Sequence, residues 1–329
     1  MRLFLKCLLM LVPVSCLCSC IGIESEEART AETVSVTVKS SLAAENADAI
    51  RRLEALAFRK GDGILEDFSA TSEESVSLKI TADMPVEVIA LANSARDALR
   101  NVHDKESLCA VRTSFPDMEE NGFVMSSGFR DYTAVVDGRL ELPLTRLACK
   151  ISLGELKVSF VTEELAALGV TLERAFLINV STECGYDLNP QAVSWRNRSA
   201  LDADLSGFEK KAYCREFGIA VKDTAPIDLG TELFCYPNPV DNGIFADDVG
   251  EWCPRNTRLV LQLSVGGIQN YYSVSLPSME CGREYVIKSI ELLGFGMEAP
   301  DLRMSRTAVV FETMVSGWEE SEEKELEIN

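Results

Sequence analysis

The chain has 329 residues, with 32 Lys and Arg against 52 Asp and Glu, a single His, 11 Cys and 47% apolar residues. The ordinary apolar fraction excludes wholesale disorder. The formal net charge of -20 excludes sequence-independent nucleic-acid binding, because phosphates require a basic footprint, and one imidazole removes most His-based acid–base chemistry. At about 150 residues per domain the length corresponds to two domains.

Residues 1–19 read as a signal peptide. Arg2 and Lys6 form a basic start, and Cys7 to Leu17 is an apolar stretch interrupted only by Pro13 and Ser15. That stretch is shorter than the roughly 20 residues a membrane span needs. It ends in Leu17-Cys18-Ser19-Cys20, which resembles a bacterial lipobox, with an aliphatic residue three before the Cys and a small residue just before it. The resemblance implies cleavage before Cys20, a thioether lipid on its sulfur and acylation of the new amino terminus. Two or more acyl chains anchor a protein stably, whereas one is marginal. Residues 20–31 form an acidic tether, and within it Glu24-Ser25-Glu26-Glu27 resembles the surface-export signal of Bacteroidetes lipoproteins.

Beyond the tether a period of two dominates. Val34, Val36 and Val38 alternate with Ser35, Thr37 and Lys39. Val76, Leu78 and Ile80 follow the same pattern, then Leu140, Leu142 and Leu144, then Leu259, Leu261, Leu263 and Val265, then Tyr272, Val274 and Leu276. Each predicts a half-buried strand. Helical periodicity is confined to Ser94 to Val102 and Glu163 to Leu168. Many short strands separated by turn residues predict antiparallel sandwiches rather than a βαβ sheet. The boundary between an N-terminal sandwich, 32–148, and a C-terminal one, 149–329, is placed where loops lengthen. In the acidic tail, Leu326 and Ile328 alternate as a last strand would.

Seven cysteines other than Cys20 lie beyond the signal segment: Cys109, Cys149, Cys184, Cys214, Cys235, Cys253 and Cys281. None stands in a C-x-x-C pair, so zinc and thioredoxin-like chemistry have no support. Most are expected as buried thiols acting as small hydrophobes. Cys235 and Cys253 flank a Pro/Asn/Gly-rich loop that could bring them together, and export would permit a disulfide there.

Several stretches, in order, resemble the fimbrillins of Bacteroidetes, the subunits and anchors of type V pili. Leu56-Ala57-Phe58 with Gly61 and Gly63-Ile64-Leu65 resembles the opening of their N-terminal domain. Val88-Ile89-Ala90-Leu91-Ala92-Asn93 resembles a strand ending in Ala-Asn, and Phe123-Val124-Met125-Ser126-Ser127 a Phe-x-Met-Ser-Gly strand. Leu142 to Ile151 resembles the strand at the domain junction, Phe234 to Pro239 an aromatic-Tyr-Pro-Asn segment, and Tyr271 to Val274 with Tyr285 to Ile287 and Gly294-Phe295-Gly296 the C-terminal hairpin. Trp318 resembles a residue of the terminal strand.

The resemblance implies two tandem transthyretin-like Greek-key β-sandwiches and a lipoprotein exposed on the outer membrane or in a fimbrium. Its partners would be other fimbrial subunits, joined by donor-strand exchange, and the membrane itself through the lipid on Cys20. In that family a protease cuts after an Arg following the first strand, the strand leaves, and a neighbour's segment fills the groove by β-augmentation. Here the first strand carries Val34, Val36 and Val38, and the loop Ser40 to Ile50 holds no Arg or Lys. The next candidate processing sites, Arg51 and Arg52, open the following strand. A subunit that keeps its first strand and its lipid would behave as an anchor rather than a stalk.

No nucleophile–base pair is legible, so no enzyme activity, cofactor or metal is expected. His103 beside Asp104 is expected on the surface of a short helix. Glu119-Glu120 and Asp247-Asp248 lack the spacing of a calcium loop, and Gly266-Gly267 and Gly294-Phe295-Gly296 are turn signals. Trp195, Trp252, Tyr236 and Tyr271 would suit a sugar-stacking platform, although packing is the expected use. A surface glycan-binding sandwich lipoprotein is therefore the alternative function. Asp223-Thr224-Ala225 resembles a Bacteroidetes O-glycosylation site at Thr224.

Overall fold

Alternating strands build almost the whole molecule in a computed structural model, which describes residues 32–41, 50–221, 224–305, 307–318 and 324–325. Cys20, the signal segment, the tether up to residue 31, residues 42–49, Leu326 and Ile328 lie outside the described residues. The fold is all-β and sandwich-like.

The first half contributes β1 (Thr33–Ser41), β2 (Leu53–Arg59), β3 (Leu65–Thr71), β4 (Ser75–Thr81), β5 (Pro85–Ala92), β6 (Arg112–Ser114), β7 (Met125–Ser126), β8 (Arg130–Thr133), β9 (Gly138–Pro143) and β10 (Thr145–Arg146). They form a three-stranded sheet ordered β4-β1-β9 and a second sheet ordered β10-β7-β5-β2-β3, with β8 pairing β5. The second half contributes β11 (Cys149–Val158), β12 (Val170–Ile178), β13 (Val180–Ser181), β14 (Glu183–Gly185), β15 (Trp195–Arg196), β16 (Cys214–Val221), β17 (Ile227–Cys235), β18 (Arg258–Val265), β19 (Ile268–Ser275), β20 (Arg283–Leu292), β21 (Val309–Gly317) and β22 (Lys324–Glu325). Its two large sheets run β17-β11-β20-β21-β22 and β16-β12-β18-β19. The two halves repeat one feature: β1 is antiparallel to β4 and parallel to β9, and β11 is antiparallel to β17 and parallel to β20.

β2 and β5 show why half of the core escapes an alternation test. Leu53, Ala55 and Ala57 of β2, with Val86, Val88, Ala90 and Ala92 of β5, face β1 and β4 in one apolar cluster. Leu56, Phe58, Ile89 and Leu91 face the other way, into a second cluster continuous with the strands of the C-terminal half. A strand buried on both faces reads as an unbroken apolar run. The halves are also joined by main chain, since β6 pairs antiparallel with β14.

The expected helix at Ser94 to Val102 is a series of turns instead. The helix starts later, as α1 (Lys105–Ala110), because Asp104 caps it and accepts from the Ser107 amide at 2.7 Å. His103 therefore precedes the helix; it is exposed, with Nδ1 3.0 Å from the Asn101 carbonyl. α2 (Phe115–Asn121) has Pro116 in its first turn and Asp117 accepting from the Ser114 amide at 2.8 Å. α3 (Glu163–Ala166) falls where periodicity predicts it, and α4 (Gly207–Tyr213) was not legible. α2 seats Phe115 against Tyr236 and Tyr213, with ring centroids 4.8 and 5.2 Å apart.

Candidate functional site

The alternation of β1 fixes which of its atoms can be lost. Val34, Val36 and Val38 are buried, while Ser35 and Lys39 are exposed. Across β4 they stand opposite Ile80, Leu78 and Val76 in turn. On the other side Val36 pairs Gly138 and Val38 pairs Leu140 of β9. β1 is thus an internal strand, hydrogen-bonded along both edges, with its three valines on the core face. Each Val is worth about 1.5–3 kcal/mol when fully buried. Withdrawing β1 would leave an apolar groove between β4 and β9 with two unpaired main-chain edges, the feature that invites another strand.

The loop Ser40 to Ile50 falls largely on residues outside the described set, but the segment that follows is well defined. The Arg51 amide donates to Asn93 Oδ1 at 2.9 Å, and the Asn93 amide donates to the Arg52 carbonyl at 3.0 Å. Asn93 has a φ of 59°, a left-handed conformation that Asn tolerates better than most residues, and its Nδ2 donates to the Phe123 carbonyl at 3.1 Å. One residue therefore clamps both candidate processing residues onto the sheet, Arg51 through its side chain and Arg52 through its main-chain amide. The Arg51 residue is exposed and Arg52 is half-buried. An apolar strand ending in Ala-Asn marks Asn93 in the sequence; nothing there links it to Arg51.

The Arg52 guanidinium lies 2.7 Å from Glu54 Oε1, an ionic contact whose angles fall outside hydrogen-bond geometry. Glu54 is buried in β2, and the Ser94 hydroxyl donates to its Oε2. Burial, the largest influence, pushes the Glu54 carboxyl above its ordinary 4.5, against the Ser94 hydrogen bond and the Arg52 charge. A raised acid stabilises the fold in its protonated form, fully below the unfolded value, and that contribution is lost as pH rises through the folded value. Glu54→Gln retains the shape and an acceptor for Ser94 without ionising. The unfolding free energy of E54Q, relative to the wild type, is expected to rise in urea titrations as pH increases from below the ordinary carboxylate value through the raised folded one. A difference that stays flat over that range would show that Glu54 ionises as readily folded as unfolded.

The remaining candidates are dispersed. Thr224 is exposed, three residues before β17. Tyr236 is fully buried against Phe115, so it cannot join a sugar platform. Trp195 and Trp252 pack edge to face with centroids 5.3 Å apart, and Trp252 Nε1 donates to Asn179 Oδ1 at 3.1 Å. Tyr271 pairs instead with Met297 on the far side of β19. Cys235 is not beside Cys253. It sits opposite Cys149 across the β11–β17 ladder, and the Cys253 sulfur is 3.9 Å from the Arg255 guanidinium. All seven described cysteines are thiols.

No protein-family model matches the sequence, and no curated protein matches it. Solved structures do. A fimbrilin (fimA) from Porphyromonas gingivalis W83 superposes with a TM-score of 0.61 at 13% identity, covering 87% of this chain and 97% of that one. The tip fimbrial protein Mfa3 from Porphyromonas gingivalis, with a C-terminal truncation, gives 0.51 at 13% identity, covering 87% and 100%. At these identities the likeness is one of fold: the chain has the fold of fimbrial proteins over most of its length.

Proposed function

We propose that the chain is a fimbrillin-type surface lipoprotein: a fimbrial, type V pilus subunit that takes an anchor-like rather than a stalk position and joins its neighbours by β-strand exchange. A lipid on Cys20 would hold it at the outer membrane, residues 20–31 would be the tether, and 32–148 and 149–329 would be its two domains. The observation that carries the reading is the placement of β1, internal to its sheet and connected to β2 through residues that hold no Arg or Lys before Arg51. The fold shared with a fimbrilin and a tip fimbrial protein supports the pilus assignment. The anchor preference rests on the clamp, because a protease must accept an extended, unpaired chain. At Arg51 and Arg52 that requires opening the Asn93 hydrogen bonds and the Glu54 ion pair.

Limited digestion of the folded protein with an Arg-specific protease, followed by N-terminal sequencing, tests this. Cleavage in the tether at Arg29 is expected, with β1 retained. A clean new terminus at Arg52 or Leu53 with the fold preserved would overturn the anchor position and indicate a polymerising subunit.

A further inference from the structure

Four cysteines from distant parts of the chain converge at one end of β11. Cys149 and Cys235 face each other across the antiparallel β11–β17 ladder. The Cys149 thiol donates to the Glu280 carbonyl at 3.0 Å, and the next residue is Cys281. Cys281 Sγ lies 3.8 Å from Cys184 Sγ, although 97 positions separate them in sequence. Cys235 Sγ lies 3.9 Å from Met279 Sδ. Cys149, Cys184 and Cys235 are buried, and Cys281 is half-buried. Among the described residues no three Cys, His, Asp or Glu side chains are grouped to hold a metal ion, so the useful unit is the pair.

Of the four, Cys281 is the one that is not fully buried. It lines a cleft of about 310 Å³ with Thr145, Arg146, Gly282 and Trp318. It sits in the turn before β20, next to Gly282, whose φ of 67° is in the glycine-favoured region. Sulfur atoms at 3.8 Å must approach to about 2.05 Å to bond, and a turn residue can supply that movement by rotating its side chain.

We propose that Cys184 and Cys281 form a redox pair that closes to a disulfide when the folded protein meets a disulfide oxidant. The Cys281 thiolate attacks one sulfur of the oxidant, whose S–S bond breaks and whose first thiolate leaves. The Cys184 thiolate then attacks Cys281 Sγ in the mixed disulfide, the Cys184–Cys281 bond forms, and the second thiolate of the oxidant leaves. Two electrons and two protons pass from the pair to the oxidant, which ends as two thiols. The hydrogen bond with Cys184, followed by burial, pushes the Cys281 thiol up, so the reaction accelerates with pH. The closed pair ties β14, and through its ladder β6, to the turn that enters β20. This inference does not depend on the pilus reading, because it concerns the purified chain and a small-molecule oxidant.

The test is prolonged incubation of the full chain with excess oxidised glutathione at about pH 7 and about pH 9, since a thiol that is pushed up supplies more thiolate only as pH rises, then alkylation, intact mass and non-reducing peptide mapping. The expected product is unalkylated at both sulfurs, lighter by two hydrogens, and yields a linked peptide containing Cys184 and Cys281. Its thermal midpoint should rise by several degrees and fall back on reduction with dithiothreitol, since a cross-link restricts the unfolded chain. In Cys184→Ser the reaction should stop at a glutathione adduct on Cys281. A wild-type chain that stops at that adduct, or that links Cys149 to Cys235 or to Cys281 instead, would overturn the proposal. The wild-type map decides this even where the variant does not fold.

Discussion

Val36→Asp is expected to cause a large loss of stability around β1. Val36 is fully buried at the centre of β1, with Leu78 opposite it on β4 and Leu53, Ala55 and Val88 in the same apolar cluster. The substitution removes about 1.5–3 kcal/mol of burial and places a carboxylate among buried apolar side chains, at several kcal/mol more. Net stabilities of about 5–15 kcal/mol leave little after such a loss. Val36→Ala, which only creates a cavity, should cost about 2 kcal/mol. Ser35→Asp, one position away and on the exposed face, should stay within about 0.5 kcal/mol of the wild type. Urea unfolding followed by circular dichroism separates the three. An unchanged midpoint for V36D would mean that β1 does not occupy the groove in solution.

The second large effect is expected at Asp301. Its carboxylate is the counter-ion of two buried guanidiniums: Arg255 at 3.0 Å on one oxygen and Arg258 through a single close contact on the other. Arg258 also donates to the Ile244 carbonyl at 2.6 Å and lies 3.8 Å above the Phe245 ring. Burial pulls the Arg258 guanidinium below its ordinary value, and Asp301 opposes that pull. Asp301→Ala would leave two like charges buried without an anion. Removing one partner of a buried pair typically costs about 3–5 kcal/mol, and the mutual repulsion of Arg255 and Arg258 adds to it. The same change should free the loop around Ile244 and Phe245, raising tryptic cleavage at Arg255 and Arg258. The double variant D301A/R258M should recover part of the loss, since one buried charge is then removed. A loss below about 1 kcal/mol for D301A would show that water already reaches the two arginines.

Legibility in the sequence followed alternation along each strand. β1 and β4 expose one face, and their alternation is readable; β18 is buried on both faces but sets Gln262 and Ser264 opposite Leu259, Leu261, Leu263 and Val265, so it alternates in polarity rather than in burial. β2 is not readable, because Leu53 to Phe58 is buried throughout and Glu54, inside that run, reads as a surface residue. α2 and α4 are too short for a helical period and owe their ends to local structure, in α2 the cap between Ser114 and Asp117. The first strand could be found by pattern, whereas its clamp could not, since Asn93 and Arg51 meet only through the β2–β5 pairing. The same holds for Cys184 with Cys281 and for Arg255 and Arg258 with Asp301: each is a contact between loops or strands whose separation carries no periodic signal. Cys235, which the loop composition allowed to approach Cys253, lies opposite Cys149 instead, because loop composition says that two ends can approach but not which ladder holds them.

The parallel run of β1 and β9 has a mechanical consequence. Val36 to Ser41 pair in order with Gly138 to Pro143. A molecule held through Thr33 and pulled through the chain beyond Pro143 is loaded at opposite ends of two parallel strands. The two forces then act along the strand axes in opposite senses, so the ladder bonds between β1 and β9 carry the load together, in shear. An antiparallel hairpin such as β20–β21, pulled at its open end, would instead yield one bond at a time. Rupture under traction follows the unfolding rate rather than the equilibrium stability, and shear makes that rate small. The strand whose departure would open the groove is therefore hard to remove by tension along the chain, and easier to remove by peeling its ladders from one end.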